Sequence, residues 1–246
     1  MQRIRADLHI HTVLSPCANV DMSPVAIVQK AFASGLRIIG ITDHNSTLQC
    51  PTVKKIADEY GIFTLMGAEV TSKEEIHCLT YFDSLENLQN FQDYIDRNIS
   101  KIKFNPALHG LQAVLDTKNN VLEQIDYYLG TPLKVGYEEI EETVHALGGI
   151  FIPAHVDRIK FSLLSQLGYV PENIKADALE IYNQTPLVQF LRENGHVAHF
   201  SIIKNSDAHT LDSIGRHTSL FMIEKISFNE IKMALRKKFE RMVITE

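Results

Sequence analysis

Two histidines spaced two residues apart, His9 and His11, end the first apolar run of the sequence. Alternate side chains of a β-strand point to the same face, so both imidazoles project together, with Asp7 behind them on that face. A His-x-His pair at a strand tip can hold one metal ion from two sides. The alternative is a pair of surface histidines near a terminus, and the remaining motifs decide between the two interpretations.

The same residue types stand at the ends of four further predicted strands. They are Asp43 with His44, Glu69, His155, and Asp207 with His209. In a barrel of parallel strands these ends converge on one rim, where active sites are built. Isolated core histidines would explain one or two of these positions but not the pattern. The sequence therefore predicts a polynuclear metal site.

The residue types at this site indicate both the metal and the chemistry. An imidazole-rich donor set with a few carboxylates suits Mn, Fe or Zn and is too rich in nitrogen for a dedicated Mg or Ca site. Two or three divalent ions close together indicate hydrolysis, because bound water loses its proton near neutral pH and the ions hold both the attacking and the leaving oxygen. We therefore expect two or three divalent ions (Mn, Fe or Zn) as cofactors.

Strands and helices alternate along the chain, which predicts an α/β protein with a mostly parallel sheet. The predicted strands cover residues 4–11, 37–42, 62–70, 76–82, 149–154, 178–182, 200–204, 218–223 and 242–244. Residues 71–75 are too few for a parallel crossover, so the strand at 76–82 is expected to run antiparallel to the one before it. This pairing brings His77 beside Glu69.

Length and composition predict one soluble domain. The 246 residues match a single (β/α) barrel covering 1–246, with residues 83–148 as a mainly helical insertion or lid. Three scattered cysteines, no run like a signal peptide and no apolar stretch of ~20 residues predict a cytoplasmic protein with no membrane partner. The formal charge of −6 argues against a duplex-binding surface but allows a small phosphorylated substrate held through metal ions.

Five motifs, in this order and spacing, resemble the PHP (polymerase and histidinol phosphatase) family. They are Asp7-Leu8-His9-Ile10-His11-Thr12, Thr42-Asp43-His44, Gly67-Ala68-Glu69, Pro153-Ala154-His155 and Ser206-Asp207-Ala208-His209. The resemblance covers essentially the whole chain and is weakest over residues 84–148. It implies a distorted seven-stranded, TIM-like barrel with a trinuclear metal centre that hydrolyses phosphate esters.

The resemblance also implies how the ligands divide among three ions. The first ion would take His9, His11, Glu69 and Asp207, the second Glu69, His77 and His155, and the third His44 and His209. Family members often place His or Asp where this chain has Cys17, so its thiolate is a candidate third-ion ligand that would favour a softer metal such as Zn. The alternative for Cys17 is a plain loop thiol. Asp7 and Asp43 resemble carboxylates that orient the imidazoles.

Candidates for substrate contact lie near the same strand ends. Arg158 follows His155 by three residues and could clamp a phosphate with its forked guanidinium, or could be a solvated side chain. With Asp43 and His209 it completes the set of candidate catalytic residues. Weaker candidates, with a surface role as the alternative, are Lys101, Lys103, His109, Asn183, Arg216 and His217.

The predicted function is hydrolysis of phosphate esters of a small phosphorylated molecule, a nucleotide or other phosphomonoester, by a metal-bridging hydroxide. Three alternatives stay open. One is exonuclease action on short oligonucleotides, which needs a groove that residues 83–148 would line. Another is a metal-dependent amidohydrolase, although no lysine stands out as the bridging ligand of such enzymes. The third is a non-catalytic, metal-bound scaffold domain. The sequence leaves the oligomeric state open.

Overall fold

A curled, seven-stranded sheet positions the candidate residues. Its strands are β1 (Gln2–Ile10), β2 (Ile38–Ile41), β3 (Phe63–Thr71), β4 (His77–Phe82), β7 (Ile150–Pro153), β10 (Ser219–Ile223) and β11 (Met242–Thr245). They pair in the order β11-β10-β1-β2-β3-β4-β7. The computed structural model describes residues 1–106, 111–182 and 184–245.

The sheet is mixed, and the prediction of a mostly parallel sheet is wrong. β1 with β2 and β2 with β3 are parallel, whereas the other four pairs are antiparallel. The alternation of strands and helices does not reveal this, because β10 pairs with β1 and β7 pairs with β4, strands that are distant in sequence. The antiparallel pairing of β3 with β4 is confirmed, and it places His77 opposite Thr71, two residues from Glu69.

A short parallel pair, β8 (Leu179–Glu180) with β9 (Ile202–Ile203), lies beside the open edge of the sheet. The Asp177 amide donates to Phe151 O and the Val156 amide donates to Glu180 O, which joins β8 to β7. On the other side, an isolated parallel bridge links Ile10 to Ala208. The α/β class is therefore shown with a curled, partly closed sheet, and a complete barrel stays a prediction.

Helices pack against both faces of the sheet. They are α1 (Pro24–Ala33), α2 (Cys50–Glu59), α3 (Leu85–Asn98), α4 (Tyr137–Ala146), α5 (Leu163–Leu167), α6 (Leu187–Glu193) and α7 (Phe228–Leu235). Ser23, Ser84 and Ser227 cap α1, α3 and α7 through their side chains, as their position before each apolar stripe predicts. In the described part of the chain, no helix combines the length and apolar character needed to cross a membrane.

The segment between β4 and β7 is less helical than its sequence pattern predicts. Between α3 and α4 it forms an antiparallel hairpin of β5 (Ala113–Leu115) and β6 (Val121–Gln124). β5 is buried and β6 is exposed, so burial in the hairpin changes from strand to strand and does not repeat with the period of a helix. The role of residues 83–148 as an insertion or lid stays a prediction.

Two layers of apolar side chains hold the strands in place. Ile4, Ala6 and Leu8 of β1 are buried in a cluster that also contains residues of β4, β7 and α7. The second cluster joins α1, α2 and α3 to the other side of the sheet. Because β1 is buried from Ala6 to Ile10 and β3 over nearly its whole length, the polar residues at their ends are fixed by a packed core.

Candidate metal centre

The predicted strand-end residues lie together at one end of the curled sheet, with Glu69 at their centre. Its side chain is 1% exposed and faces five imidazoles. Glu69 Oε1 lies 2.9 Å from His77 Nδ1, 3.1 Å from His155 Nε2 and 3.4 Å from His9 Nε2, and Oε2 lies 3.1 Å from His44 Nδ1 and 3.4 Å from His11 Nε2.

Asp207 is the second carboxylate of the cluster. Its Oδ1 lies 3.4 Å from both His9 Nε2 and His11 Nε2, and its Oδ2 accepts a hydrogen bond of 3.0 Å from Arg158. Asp207 and His155 both have positive φ, 49° and 29°, a backbone conformation that costs free energy for residues with a side chain. The fold thus holds both residues in strained conformations that aim them into the cluster.

The hydrogen bonds around His9 and His11 fix which ring nitrogens carry lone pairs. His9 Nδ1 donates to the Glu180 carboxylate, at 3.0 Å from Oε2. Ser15 Oγ donates to Asp43 Oδ1 at 2.7 Å, so it accepts from His11 Nδ1 at 3.0 Å. In the neutral form of each ring, which is the form that binds metal, Nε2 carries the lone pair, and the two Nε2 atoms lie 3.2 Å apart.

These lone pairs face each other and the carboxylates, an arrangement that a divalent cation between them stabilises. Donor atoms within 4.8 Å of one another form three groups among the described residues: His9, His11, Glu69 and Asp207; His44, Glu69 and His77; and His11, His44 and His209. His44 Nδ1, although 3.1 Å from Glu69 Oε2, has no hydrogen-bond partner in the described chain. The donor set fits divalent metal ions.

Burial and neighbouring charges shift the pKa values of the cluster residues in opposite directions, and which of the two effects prevails differs from residue to residue. Burial lowers the pKa of His9, but the carboxylates of Glu180, Glu69 and Asp207 outweigh it and raise that pKa well above its usual value. Burial raises the pKa of Glu69, but the surrounding histidines hold it well below its usual value. For His209, burial prevails and lowers the pKa to about 4. Glu69 is thus ionised and His209 neutral at physiological pH.

Asp43 and Asp7 lie behind the cluster and act through other groups. Asp43 accepts from the Thr12 amide at 2.7 Å and from Ser15 Oγ, the group that also holds His11. Asp7 Oδ2 accepts from Ser206 Oγ at 2.6 Å. Their contacts fix the loops that carry the candidate ligands.

Glu180 is a functional candidate that the sequence analysis missed. It is 2% exposed on β8, holds His9 Nδ1, and accepts from Asn205 Nδ2 at 2.7 Å and from the His155 amide at 3.0 Å. The available signal was a carboxylate inside the apolar run Ala178 to Ile181. A glutamate inside such a buried strand needs partners there, because an unpaired buried charge is costly.

A cavity of about 230 Å³ gives access to the cluster. Its lining includes Cys17, Arg158, Phe161 and Tyr128 beside the candidate ligands. Cys17 is exposed and belongs to none of the three donor groups of the described residues, so its role as a ligand stays a prediction.

The weaker candidates lie elsewhere. Lys101 packs over the Tyr127 ring, with Nζ 4.8 Å from the centroid. Across the described ranges, the residues lining the cavity do not include Lys101, Lys103, Arg216 or His217. His109 and Asn183 lie outside the described residues.

The family follows from the sequence match. A family model, the PHP domain, matches residues 7–206. The chain belongs to the PHP domain family. This match confirms the resemblance drawn from the five motifs.

Similar proteins are longer than this PHP chain. The uncharacterised protein YqxK of Bacillus subtilis (strain 168) is 23% identical over 99% of the chain, which covers 65% of that protein. The lesion-specific endonuclease PfuEndoQ from Pyrococcus furiosus has the same fold, with a TM-score of 0.75, 21% identity and coverage of 98% of this chain and 58% of that chain. Endonuclease Q in complex with a 27-mer duplex, with an abasic lesion at the active site, has a TM-score of 0.72 at 19% identity, with the same coverage. The PHP chain therefore spans less than two thirds of the length of these proteins.

The prediction that duplex nucleic acid is not a partner is wrong, and the prediction of a small phosphorylated substrate is not confirmed. The finding that overturns the first prediction is endonuclease Q, which has the same fold over 98% of this chain and is in complex with a DNA duplex. The net charge of −6 misled the prediction because it sums the whole chain, whereas binding depends on local charge. Arg158 and Lys160 lie at the rim of the site, and metal ions would add further positive charge.

Proposed function

We propose that this PHP chain is a metal-dependent phosphoesterase that hydrolyses phosphodiester bonds of nucleic acid. The observation that carries the proposal is Glu69, a buried carboxylate facing five imidazoles beside a cavity lined by an arginine. The fold shared with endonuclease Q supports nucleic acid as the substrate class. PHP membership and the donor set support metal dependence.

We assign the candidate ligands in three sets. They are His9, His11, Glu69 and Asp207; Glu69, His77 and His155; and His44 and His209 with Cys17. Divalent ions held there would supply Lewis acidity, polarise the phosphate and lower the pKa of bound water. Mn, Fe and Zn fit these nitrogen-rich sets best.

The chain's own side chains account for the remaining requirements. Arg158 donates to Asp207 Oδ2 through Nη1, and its side chain is 39% exposed, so the guanidinium has donors left for a phosphate oxygen. His209 Nδ1 donates to the Asp207 carbonyl at 2.9 Å, which leaves the lone pair on Nε2, and the His209 ring centroid lies 4.1 Å from that of His11 and 6.1 Å from that of His44. That orientation suits His209 as a ligand or proton acceptor. Asp43 would act indirectly: it accepts a hydrogen bond from Ser15 Oγ, which in turn accepts one from His11 Nδ1 and orients that ring.

The test compares phosphodiesters with other substrates. Metal-replete protein would be assayed with bis-p-nitrophenyl phosphate, p-nitrophenyl phosphate, a closed circular duplex, and linear duplexes with and without an abasic site. We expect cleavage of the diesters, and nicking of the circle would separate endonuclease from exonuclease action. A lactam and deaminase panel run on the same sample tests the amidohydrolase alternative.

Two variants make the test specific. Asp207→Asn keeps the shape of the side chain but removes its charge, and we expect it to lose diester hydrolysis. Glu230→Gln changes an equally acidic, buried residue that pairs with Arg241 away from the cluster, and it should keep full activity. Full activity of Asp207→Asn, or a metal-loaded protein without turnover on any phosphate ester, would overturn the proposal.

A further inference from the structure

A cavity of about 460 Å³, the far-end cavity, lies at the opposite end of the strands from the metal cluster. Asp177 lines it and accepts a hydrogen bond of 2.8 Å from the amide of Phe151, at the start of β7, whereas the candidate metal ligand His155 follows the end of β7. Leu235 and Arg236, at the end of α7, line it as well. Among the described residues, none lines both this cavity and the cavity of the metal cluster.

Three side chains with a permanent positive charge line the far-end cavity: Lys175, Arg236 and Lys238. Within the described ranges, neither lysine side chain has an ion-pair or hydrogen-bond partner. Arg236 donates to Asp177 through Nε, and its side chain is 36% exposed, so both Nη groups remain for a ligand. On a chain with a formal charge of −6, this local concentration of cations indicates an anionic ligand.

The carboxylate in the lining, Asp177, does not cancel these charges. It is buried, and both of its oxygens are engaged: Oδ2 by the Phe151 amide and by His145 Nε2 at 3.1 Å, and Oδ1 by Arg236. Asp177 therefore holds the Arg236 guanidinium in place at the cavity, and the lining keeps a net positive charge when its carboxylate is counted.

Hydrogen bonds join the two walls of the far-end cavity. Lys237 Nζ, at the end of α7, donates to the carbonyl oxygens of His199 and Phe200 at 3.1 Å and 2.7 Å. Ser201 Oγ donates to Ala234 O at 3.4 Å. These bonds engage carbonyl oxygens that would otherwise repel an anion, so the site is built for negative charge and not merely surrounded by lysines.

The remaining lining suits a ligand larger than a lone phosphate. The rings of His199 and Phe200 pack with centroids 4.0 Å apart and line the cavity together with Ala176 and Leu235. Pockets for small molecules span about 300–1,000 Å³, which includes the size of this one. Flat rings offer a stacking surface to a nucleobase, and a guanidinium matches phosphate oxygens in a forked pair.

We propose that the far-end cavity binds the diphosphate group of a small molecule such as a nucleoside diphosphate. Lys175, Arg236 and Lys238 would hold the phosphates, and the ring pair of His199 and Phe200 would contact the base. The site does not depend on the proposed hydrolysis, because its residues lie away from the metal cluster.

The test measures binding by isothermal titration calorimetry with three probes: the methylene analogue of ADP, methylene diphosphonate and adenosine. The methylene bridge between the phosphorus atoms resists hydrolysis. Each probe is titrated into metal-loaded protein and into chelated protein, because phosphates also bind metal ions and only the far-end cavity should bind them after chelation. Thermal unfolding shows that the chelated protein and the variants are folded. Lys55→Gln, at an exposed position on α2, is the matched control, since it removes the same charge from the chain.

We expect the chelated wild-type protein to bind the ADP analogue at a single site and adenosine not measurably. Lys238→Gln should weaken the binding roughly five-fold, and the double variant Lys175→Gln with Lys238→Gln about 25-fold, because each removes an exposed charge that contacts the phosphates. Lys55→Gln should match the wild type. Tighter binding of the ADP analogue than of methylene diphosphonate would assign the nucleoside form, and equal binding the inorganic form.

Three results would overturn the site: no binding of either diphosphate to folded, chelated protein, adenosine binding as tightly as the ADP analogue, or an equal loss of affinity in Lys55→Gln. Each of them leaves the phosphoesterase proposal in place. That proposal fails instead if metal-loaded wild-type protein does not hydrolyse bis-p-nitrophenyl phosphate, a result that says nothing against the far-end cavity.

Discussion

Replacing Glu180 with glutamine tests whether the metal cluster depends on groups behind the ligands. Three donors converge on this carboxylate: His9 Nδ1 at 3.0 Å, Asn205 Nδ2 at 2.7 Å and the His155 amide at 3.0 Å. In Glu180→Gln one carboxylate oxygen becomes an NH₂ group, so at least one of these donors faces another donor. The charge that fixes the tautomer of His9 also disappears, and His9 Nε2 loses its assured lone pair.

The size of the effect follows from the bonds that are changed. Loss of a carboxylate that orients a metal-binding histidine costs about 10–100-fold in metal affinity, or about 1.4–2.7 kcal/mol. A single hydrogen bond to a charged group contributes about 1.5–3 kcal/mol, which agrees with one donor losing its partner. We therefore expect Glu180→Gln to bind metal about 30-fold more weakly than the wild type.

The assay is competition of wild-type and variant protein against a chelator of known affinity, with Zn²⁺ and with Mn²⁺. Glu230→Gln is the control, since Glu230, on α7, is also buried but pairs with Arg241, away from the cluster. Thermal unfolding of the chelated proteins shows whether the variant is folded. Unchanged metal affinity in a folded Glu180→Gln, or an equal loss in Glu230→Gln, would refute the role assigned to Glu180.

Three further predictions concern ligands and stability. Glu69→Gln should lose about 10³-fold in diester hydrolysis, since it removes the central ligand charge, and a loss below ten-fold would contradict that role. Cys17→Ser should weaken Zn²⁺ binding more than Mn²⁺ binding in the chelator assay, because a thiolate ligand favours the softer metal, and equal effects on the two metals would refute Cys17 as a ligand. Asp177 is buried, and burial raises its pKa, but hydrogen bonds from His145, the Phe151 amide and Arg236 outweigh burial and hold that pKa low. Asp177→Asn should thus lower the free energy of unfolding by about 2 kcal/mol at pH 7. The difference in free energy of unfolding between the wild type and the variant should fade as the pH drops below 3.8 toward the folded pKa. Urea unfolding at pH 7 and pH 3 measures it, with Asp212→Asn, at an exposed position, as the unaffected control.

The positions of the candidate site residues were predictable because short-range patterns determine them. The apolar runs before His11 and His44 are real strands, and their ends meet at one edge of the sheet. The five-residue connection after β3 correctly predicted the antiparallel β4 and the contact of His77 with Glu69. Local geometry leaves little choice in each of these cases.

What the sequence pattern did not reveal depends on tertiary pairing. Sequence spacing says nothing of which distant strands pair, so the mixed sheet was predicted as mostly parallel. Glu180 lies inside a predicted strand, whereas candidate residues were sought only at strand ends. Its role becomes visible only when β8 packs beside His9. The net charge likewise hid the local pair of Arg158 and Lys160 at the rim. A whole-chain sum cannot show where the charges meet.

We infer that the buried histidine and carboxylate cluster is a metal centre for phosphodiester hydrolysis. The most direct measurement is the metal content of freshly purified wild-type and Asp207→Asn protein, taken with bis-p-nitrophenyl phosphate hydrolysis before chelation, after chelation and after metal return. We predict two or three divalent ions per wild-type chain, fewer in the variant, and activity that is lost on chelation and restored by Mn²⁺ or Zn²⁺. Wild-type protein that hydrolyses the diester at full rate after its metal has been removed would contradict the account.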